Sequence, residues 1–144
     1  MVDEMSVEIS FPFEFVVLGV PVSLQNKGRS KEEWIQKIRN SIRQLTPEAH
    51  WLYMDSIFVE ILYFPRAVMQ GDVDNIVKPI LDAMATVVFS DDRQVERVIV
   101  QKFEPHRQLE FDDPSVALAR AVDADEPTLY VRVDDDYSAR RLWL

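Results

Sequence analysis

Aromatic and β-branched runs alternate along this chain with segments of helical period, and that alternation restricts the fold more than any other feature. Phe11 to Val20 is rich in such residues and ends at Pro21, which cannot donate to a ladder, so a strand is expected. Ser56 to Phe64 reads Ser-Ile-Phe-Val-Glu-Ile-Leu-Tyr-Phe, too apolar for a strand with one wet face. It is expected to be mostly buried and to stop at Pro65. Between the two, Trp34, Ile35, Ile38, Ile42 and Leu45 recur at helical spacing and Pro47 closes the helix. Ser30 and Glu33 form a capping-box pattern that makes Ser30 the expected N-cap.

A loop with Gly71 leads to a second apolar stripe, Ile76, Val77, Ile80, Leu81, Met84, Val87 and Val88. Pro79 interrupts it, which calls either for Pro79 as the first helical residue or for a kink. Ser90-Asp91-Asp92-Arg93 reads as a turn, Gln94 to Phe103 as a third strand and Thr128 to Val133 as a fourth. Asp113-Pro114 is expected to open a short helix through Val122, with Pro first. Helical connections permit parallel neighbours joined by right-handed crossovers. The expected fold is α/β of the mixed α+β kind: a small mixed sheet of about four strands with helices packed on it.

Residues 1–144 suit one domain, with the acidic stretch 105–126 and the tail 134–144 expected to be peripheral. The sequence has no cysteine, which excludes disulfides and thiolate metal sites and fits a reducing compartment. Met1-Val2-Asp3-Glu4 lacks a basic leader region, and no apolar run approaches the roughly 20 residues of a membrane span. The expectation is a soluble, cytoplasmic protein with no membrane partner.

A net charge of −9 opposes bulk attraction to nucleic acid, but the charge is unevenly spread. Gln25 to Leu45 holds six basic residues (Lys27, Arg29, Lys31, Lys37, Arg39, Arg43) against two acidic ones. Glu110 to Asp136 holds nine acidic residues against Arg120 and Arg132. The first segment is read as either a solvated helix face or a surface that tracks phosphates. His50 and His106 lie far apart and are assigned no role, and Trp34 and Trp51 are expected in the core.

The chemistry concentrates in Gly71-Asp72-Val73-Asp74-Asn75-Ile76-Val77-Lys78, followed by Asp82 and Asp91-Asp92. Asp72 and Asp74, two apart at a loop-to-helix junction, point to the same side if extended. Mg²⁺ takes oxygen ligands, few of them carboxylates, and keeps positions for water and phosphate. Asp92 from the next strand is the natural third carboxylate. Lys78 is expected to neutralise phosphate charge or position the attacking water. Asp82 is expected either to pair with Lys78 four residues earlier or to support the site. Alternative readings remain: Asp72 and Asp74 as helix caps, Asn75 as a cap rather than a ligand-orienting group, and Asp91-Asp92 as a plain turn.

Asp72-Val73-Asp74-Asn75-Ile76-Val77-Lys78, then Leu81-Asp82-Ala83-Met84, then Asp91-Asp92-Arg93-Gln94-Val95, resembles the RusA-type Holliday-junction resolvases over roughly Phe13 to Lys102. Val20-Pro21-Val22-Ser23 is similar too, more weakly. The resemblance implies a homodimeric endodeoxyribonuclease that cuts four-way DNA junctions with Mg²⁺, Mn²⁺ being a possible substitute. It also implies products with a 5′-phosphate and a 3′-hydroxyl. It assigns metal binding to Asp72, Asp74 and Asp92 and an essential role to Lys78, with Asn75, Asp82 and Asp91 in support. The chain departs from the family pattern in having Gln70-Gly71 before the first Asp, and in its acidic stretch. Two other readings stand beside it: an Asp-x-Asp phosphotransferase acting on nucleotides, and an acidic, non-enzymatic interaction protein on the same fold.

Overall fold

Side-chain alternation along the strands sorts the apolar residues onto two faces of one sheet. The computed structural model describes residues 9–23, 28–47, 50–105 and 110–135. In chain order these form β1 (Phe13–Leu18), α1 (Arg29–Arg43), β2 (Ile57–Phe64), a 3-10 turn (Val73–Ile76), α2 (Val77–Met84), a second 3-10 turn (Asp92–Gln94), β3 (Val95–Lys102), α3 (Val116–Asp123) and β4 (Thr128–Asp134). The sheet order is β1-β4-β2-β3. β4 runs antiparallel to both β1 and β2, while β3 lies parallel to β2 across the α2 connection. The expected small mixed α+β sheet is the observed one.

One face carries Phe15, Ile57, Ile61, Leu129 and Val131, all essentially inaccessible to water. α1 covers it with Trp34, Ile38 and Ile42, and α2 with Ile80, Ala83 and Met84. Each aliphatic side chain so buried contributes about 1.5–3 kcal/mol. The other face carries Leu62, Phe64 and Tyr130 and is covered by α3 through Ala121. Phe103 stacks on Phe64 at 5.2 Å, and Phe111 meets both rings edge-on. The stretch expected to be peripheral therefore supplies a second core through Phe111, Ala117, Leu118, Ala121 and Val122. Its acidic composition hid an apolar stripe.

Several local expectations change. α1 is capped by Gly28 at φ 76 with no side-chain cap hydrogen bond, so Ser30 lies inside the helix rather than before it. Leu45 falls past the last turn and is 57% exposed. Trp51 is not core: it is 60% exposed. α3 is capped by Ser115, whose hydroxyl accepts from the Leu118 N–H at 3.1 Å, so Pro114 precedes the cap. α2 stops at Met84, and Val87 and Val88 are buried in the following turn instead. Pro79 is the third residue of α2. A first-turn amide has no intrahelical acceptor, so the missing N–H costs nothing there. Lys27, His106, Asp136 and the tail beyond it lie outside the described residues.

Candidate functional site

Asp72 has extended backbone (φ −100, ψ 146) immediately before the 3-10 turn that α2 continues. It stands where a cap would, yet its carboxylate makes no cap hydrogen bond. Asp74 lies inside that turn, and both side chains are exposed. Asn75, half-buried, gives its backbone N–H to the Asp72 carbonyl at 3.1 Å, which closes the turn. Beside Asp72 a mostly apolar cleft of about 240 Å³ opens, walled by Pro21, Pro65, Met69 and Pro127.

Lys78, on the first turn of α2, joins the motif's separated parts. Its Nζ donates to Asp92 Oδ2 at 2.5 Å and to Asp82 Oδ1 at 2.9 Å. The hydrogen bond to Asp92, then that to Asp82, pushes the ammonium's pKa above its usual value despite some desolvation. Held this way, Lys78 is a fixed positive charge. A general base needs a pKa near the working pH, which this arrangement opposes. The expected pairing of Lys78 with Asp82 is present; the pairing with Asp92 needed the fold.

Asp91 and Asp92 differ in their use. Asp91 Oδ1 accepts from the Arg93 N–H at 2.9 Å, and Oδ2 meets the Arg93 guanidinium at 3.3 Å. Those bonds, the backbone one first, hold its carboxyl below the usual range. Asp91 thus builds the turn and Asp92 projects from it. Gln94 closes the same turn: Oε1 accepts from the Ser90 and Asp91 N–H groups at 2.9 and 2.8 Å. Sequence reasoning gave Gln94 no role, although Asp91-x-x-Gln94 has the spacing of a reciprocal cap.

Of the basic residues on α1, Arg29, Lys37 and Arg43 are exposed and Lys31 is half-buried. Arg39 is engaged elsewhere. Its Nε and Nη2 donate to the Ala83 and Asp82 carbonyls at 3.1 and 3.2 Å, at the C-terminal end of α2. A cation there meets the negative end of the helix dipole. Arg39 consequently ties α1 to the helix bearing Lys78 and Asp82.

Among the described residues no group of three or more His, Cys, Asp or Glu stands ready to hold a metal ion. The donor chemistry nevertheless suits a hard cation: all candidate ligands are carboxylate oxygens. Mg²⁺ is usually held by one or two carboxylates together with substrate phosphates, so a preformed cage of three is not required. The Lys78 ammonium, seated between Asp82 and Asp92, shows that this corner of the site accommodates positive charge.

A family model described as Endodeoxyribonuclease RusA matches residues 24–110, more than half of the chain. The chain belongs to the RusA endodeoxyribonuclease family. The matched span runs from before α1 to beyond β3 and so includes Asp72, Asp74, Lys78, Asp82 and Asp92. The RusA family comprises endonucleases of branched DNA, the Holliday-junction resolvases. Among curated proteins none matches the chain. No helix among the described residues of this RusA-family chain is long and apolar enough to cross a membrane.

Proposed function

We propose that this RusA-family chain is a divalent-metal-dependent endonuclease that resolves four-way DNA junctions in recombination and repair, acting as a homodimer. The observation that carries the reading is the ion pair from Lys78 to Asp92, which brings two separated parts of the motif together; Asp72 and Asp74 lie exposed on the turn that leads into α2. Asp72, Asp74 and Asp92 would hold Mg²⁺ or Mn²⁺. Such a cation, when bound, lowers the pKa of water and offsets charge on the phosphoryl oxygens.

The chain's own residues do the rest. Lys78, bonded to Asp92, supplies a fixed charge for a non-bridging phosphate oxygen. Asp82 holds the same ammonium together with Asp92. Lys27, Arg29, Lys31, Lys37 and Arg43 offer phosphate contacts along and just before α1, which position the duplex arms without reading sequence. A two-fold dimer places one site on each of two opposed strands of a junction. Cleavage is expected to leave a 5′-phosphate and a 3′-hydroxyl.

The deciding experiment is nicking of an end-labelled synthetic four-way junction with Mg²⁺ or with EDTA, for wild type and Asp72→Asn. Paired cuts near the branch point that vanish with EDTA and in the variant are the expected result. A folded dimer that leaves the junction intact with either Mg²⁺ or Mn²⁺ sinks the proposal. The same fold would then serve as a non-enzymatic interaction protein.

A further inference from the structure

Gln94 has a half-buried side chain whose carboxamide is saturated with hydrogen bonds. A carboxamide offers two donor hydrogens and two acceptor lone pairs. Here Oε1 accepts from the N–H groups of Ser90 at 2.9 Å and Asp91 at 2.8 Å. Nε2 donates to the carbonyls of Tyr53 at 2.7 Å and Asp55 at 2.9 Å. Only one orientation of the amide satisfies all four partners, because a flip sets NH₂ against two N–H groups and oxygen against two carbonyls.

These four bonds link three pieces of chain: the segment before β2, the connection leaving α2, and the turn that starts β3. Asp92 sits between the two ends of the clasp. The Gln94 backbone N–H also reaches back to the Asp91 carbonyl at 3.0 Å. The anchor is itself well held. Tyr53 gives its N–H to the Val88 carbonyl at 3.0 Å, and its ring packs edge-on against Phe11 at 4.7 Å. Immediately beyond Gln94 the ladder steps from Ile57↔Val95 to Phe58↔Arg97, a bulge that sets an extra β3 residue against one step of β2. A bulge re-aims the strand locally, so β3 alone does not fix the direction from which Asp92 projects.

We infer that Gln94 is a positioning residue for the nuclease site: it sets the place of Asp92 by clamping the Ser90–Asp92 turn to the Tyr53–Asp55 segment. The inference rests on the proposed metal-binding role of Asp92. It assigns Gln94 no contact with DNA. Its effect passes entirely through Asp92, as outer hydrogen bonds act on metal-ligating carboxylates, where their loss costs about 10–100-fold in metal affinity.

The test compares wild type, Gln94→Glu, Gln94→Met and Asp92→Asn by calorimetric titration with Mn²⁺ in the absence of DNA. Gln94→Glu keeps the shape but turns carboxylate oxygens toward two carbonyls, and Gln94→Met keeps the length with no donors. Both are expected to bind Mn²⁺ about tenfold more weakly or worse, while junction binding in EDTA stays within twofold of wild type. Amide exchange at Ser90 and Asp91 should quicken in Gln94→Met. Val98→Ala, a packing change on β3 away from the clasp, should lower the melting temperature without moving Mn²⁺ affinity. Gln94 variants that melt lower but bind Mn²⁺ like wild type would overturn the inference and leave Gln94 a structural cap. Wild type that binds no Mn²⁺, or binds it no better than Asp92→Asn, would overturn the metal reading and this inference with it.

Discussion

Lys78 links the separated parts of the candidate site. An ammonium half-exposed to water between two carboxylates contributes little to folding, since such surface pairs are worth about 0–1 kcal/mol. Its charge bears instead on whatever anion replaces water there. Lys78→Ala is therefore expected to change stability by less than about 1 kcal/mol in denaturant melts. The same substitution should cut junction cleavage by about a hundredfold or more, the usual cost of removing one preorganised donor from a developing negative charge. A stability loss that tracks the activity loss would mean that the pair is structural. Spacing and the family resemblance together marked Asp72, Asp74, Lys78 and Asp92 as candidates. They did not reveal that Lys78 bridges Asp82 and Asp92, because that contact depends on how the turn before β3 folds back over α2. Nor did they separate Asp91, which builds the turn, from Asp92, which leaves it.

At the level of elements, the strands and the two long connections were readable because their periods differ. The errors collect at helix ends, where a single backbone angle decides. Gly28 captured the start of α1 from Ser30, and Ser115 captured α3 from Pro114. Arg39 shows a similar limit: in sequence it belongs to a basic run, whereas in the fold it caps α2. That division gives a prediction. Arg39→Ala should lower stability by about 1.5–3 kcal/mol, as expected for hydrogen bonds from a charged group. Lys37→Ala and Arg43→Ala should stay within about 0.5 kcal/mol, as exposed positions do, yet weaken DNA binding. Equal destabilisation by all three would refute the division of labour.

A second clasp joins α3 to the sheet. Glu14 on β1 accepts from the Ser115 hydroxyl at 2.5 Å and also from the Tyr130 phenol on β4. Burial, and then the hydrogen bond to Glu14, raises the Tyr130 pKa above its ordinary 10.0. A phenol whose folded pKa exceeds its unfolded value contributes stability that is whole below the unfolded pKa and is lost as pH rises through the folded one. Stability should accordingly be flat through neutral and mildly alkaline pH and fall above the unfolded value of 10.0. Tyr130→Phe should remove about 1 kcal/mol at neutral pH and blunt the alkaline fall. An unchanged alkaline limb in urea melts at stepped pH would show that Tyr130 is not its source.

Across the whole molecule, charge is divided between the two faces of the sheet. α1, with Arg29, Lys37 and Arg43 exposed, covers one face, and α3 covers the other. Around α3 lie the exposed acids Asp112, Asp113, Asp123, Asp125 and Glu126. Their summed field opposes a polyanion on that side; on the proposed reading DNA approaches from α1, whose exposed Glu32 and Glu33 partly offset its cations. The reach of that field depends on salt. The Debye length is about 8 Å at physiological ionic strength and about 30 Å at 0.01 M. Changing the five acids to Asn and Gln should therefore raise affinity for linear duplex several-fold in dilute buffer and hardly at all near physiological salt. Junction cleavage, proposed to depend on the opposite side, should change little. Charge reversal of Lys37 and Arg43 should do the converse: weaken binding at both salt levels and flatten the dependence of affinity on salt, by about 0.9 in log–log slope for each phosphate contact removed. If neutralising the acids strengthens duplex binding equally at both salt levels, the acidic face acts by direct contact rather than by its field. The orientation drawn from the two faces would then be wrong.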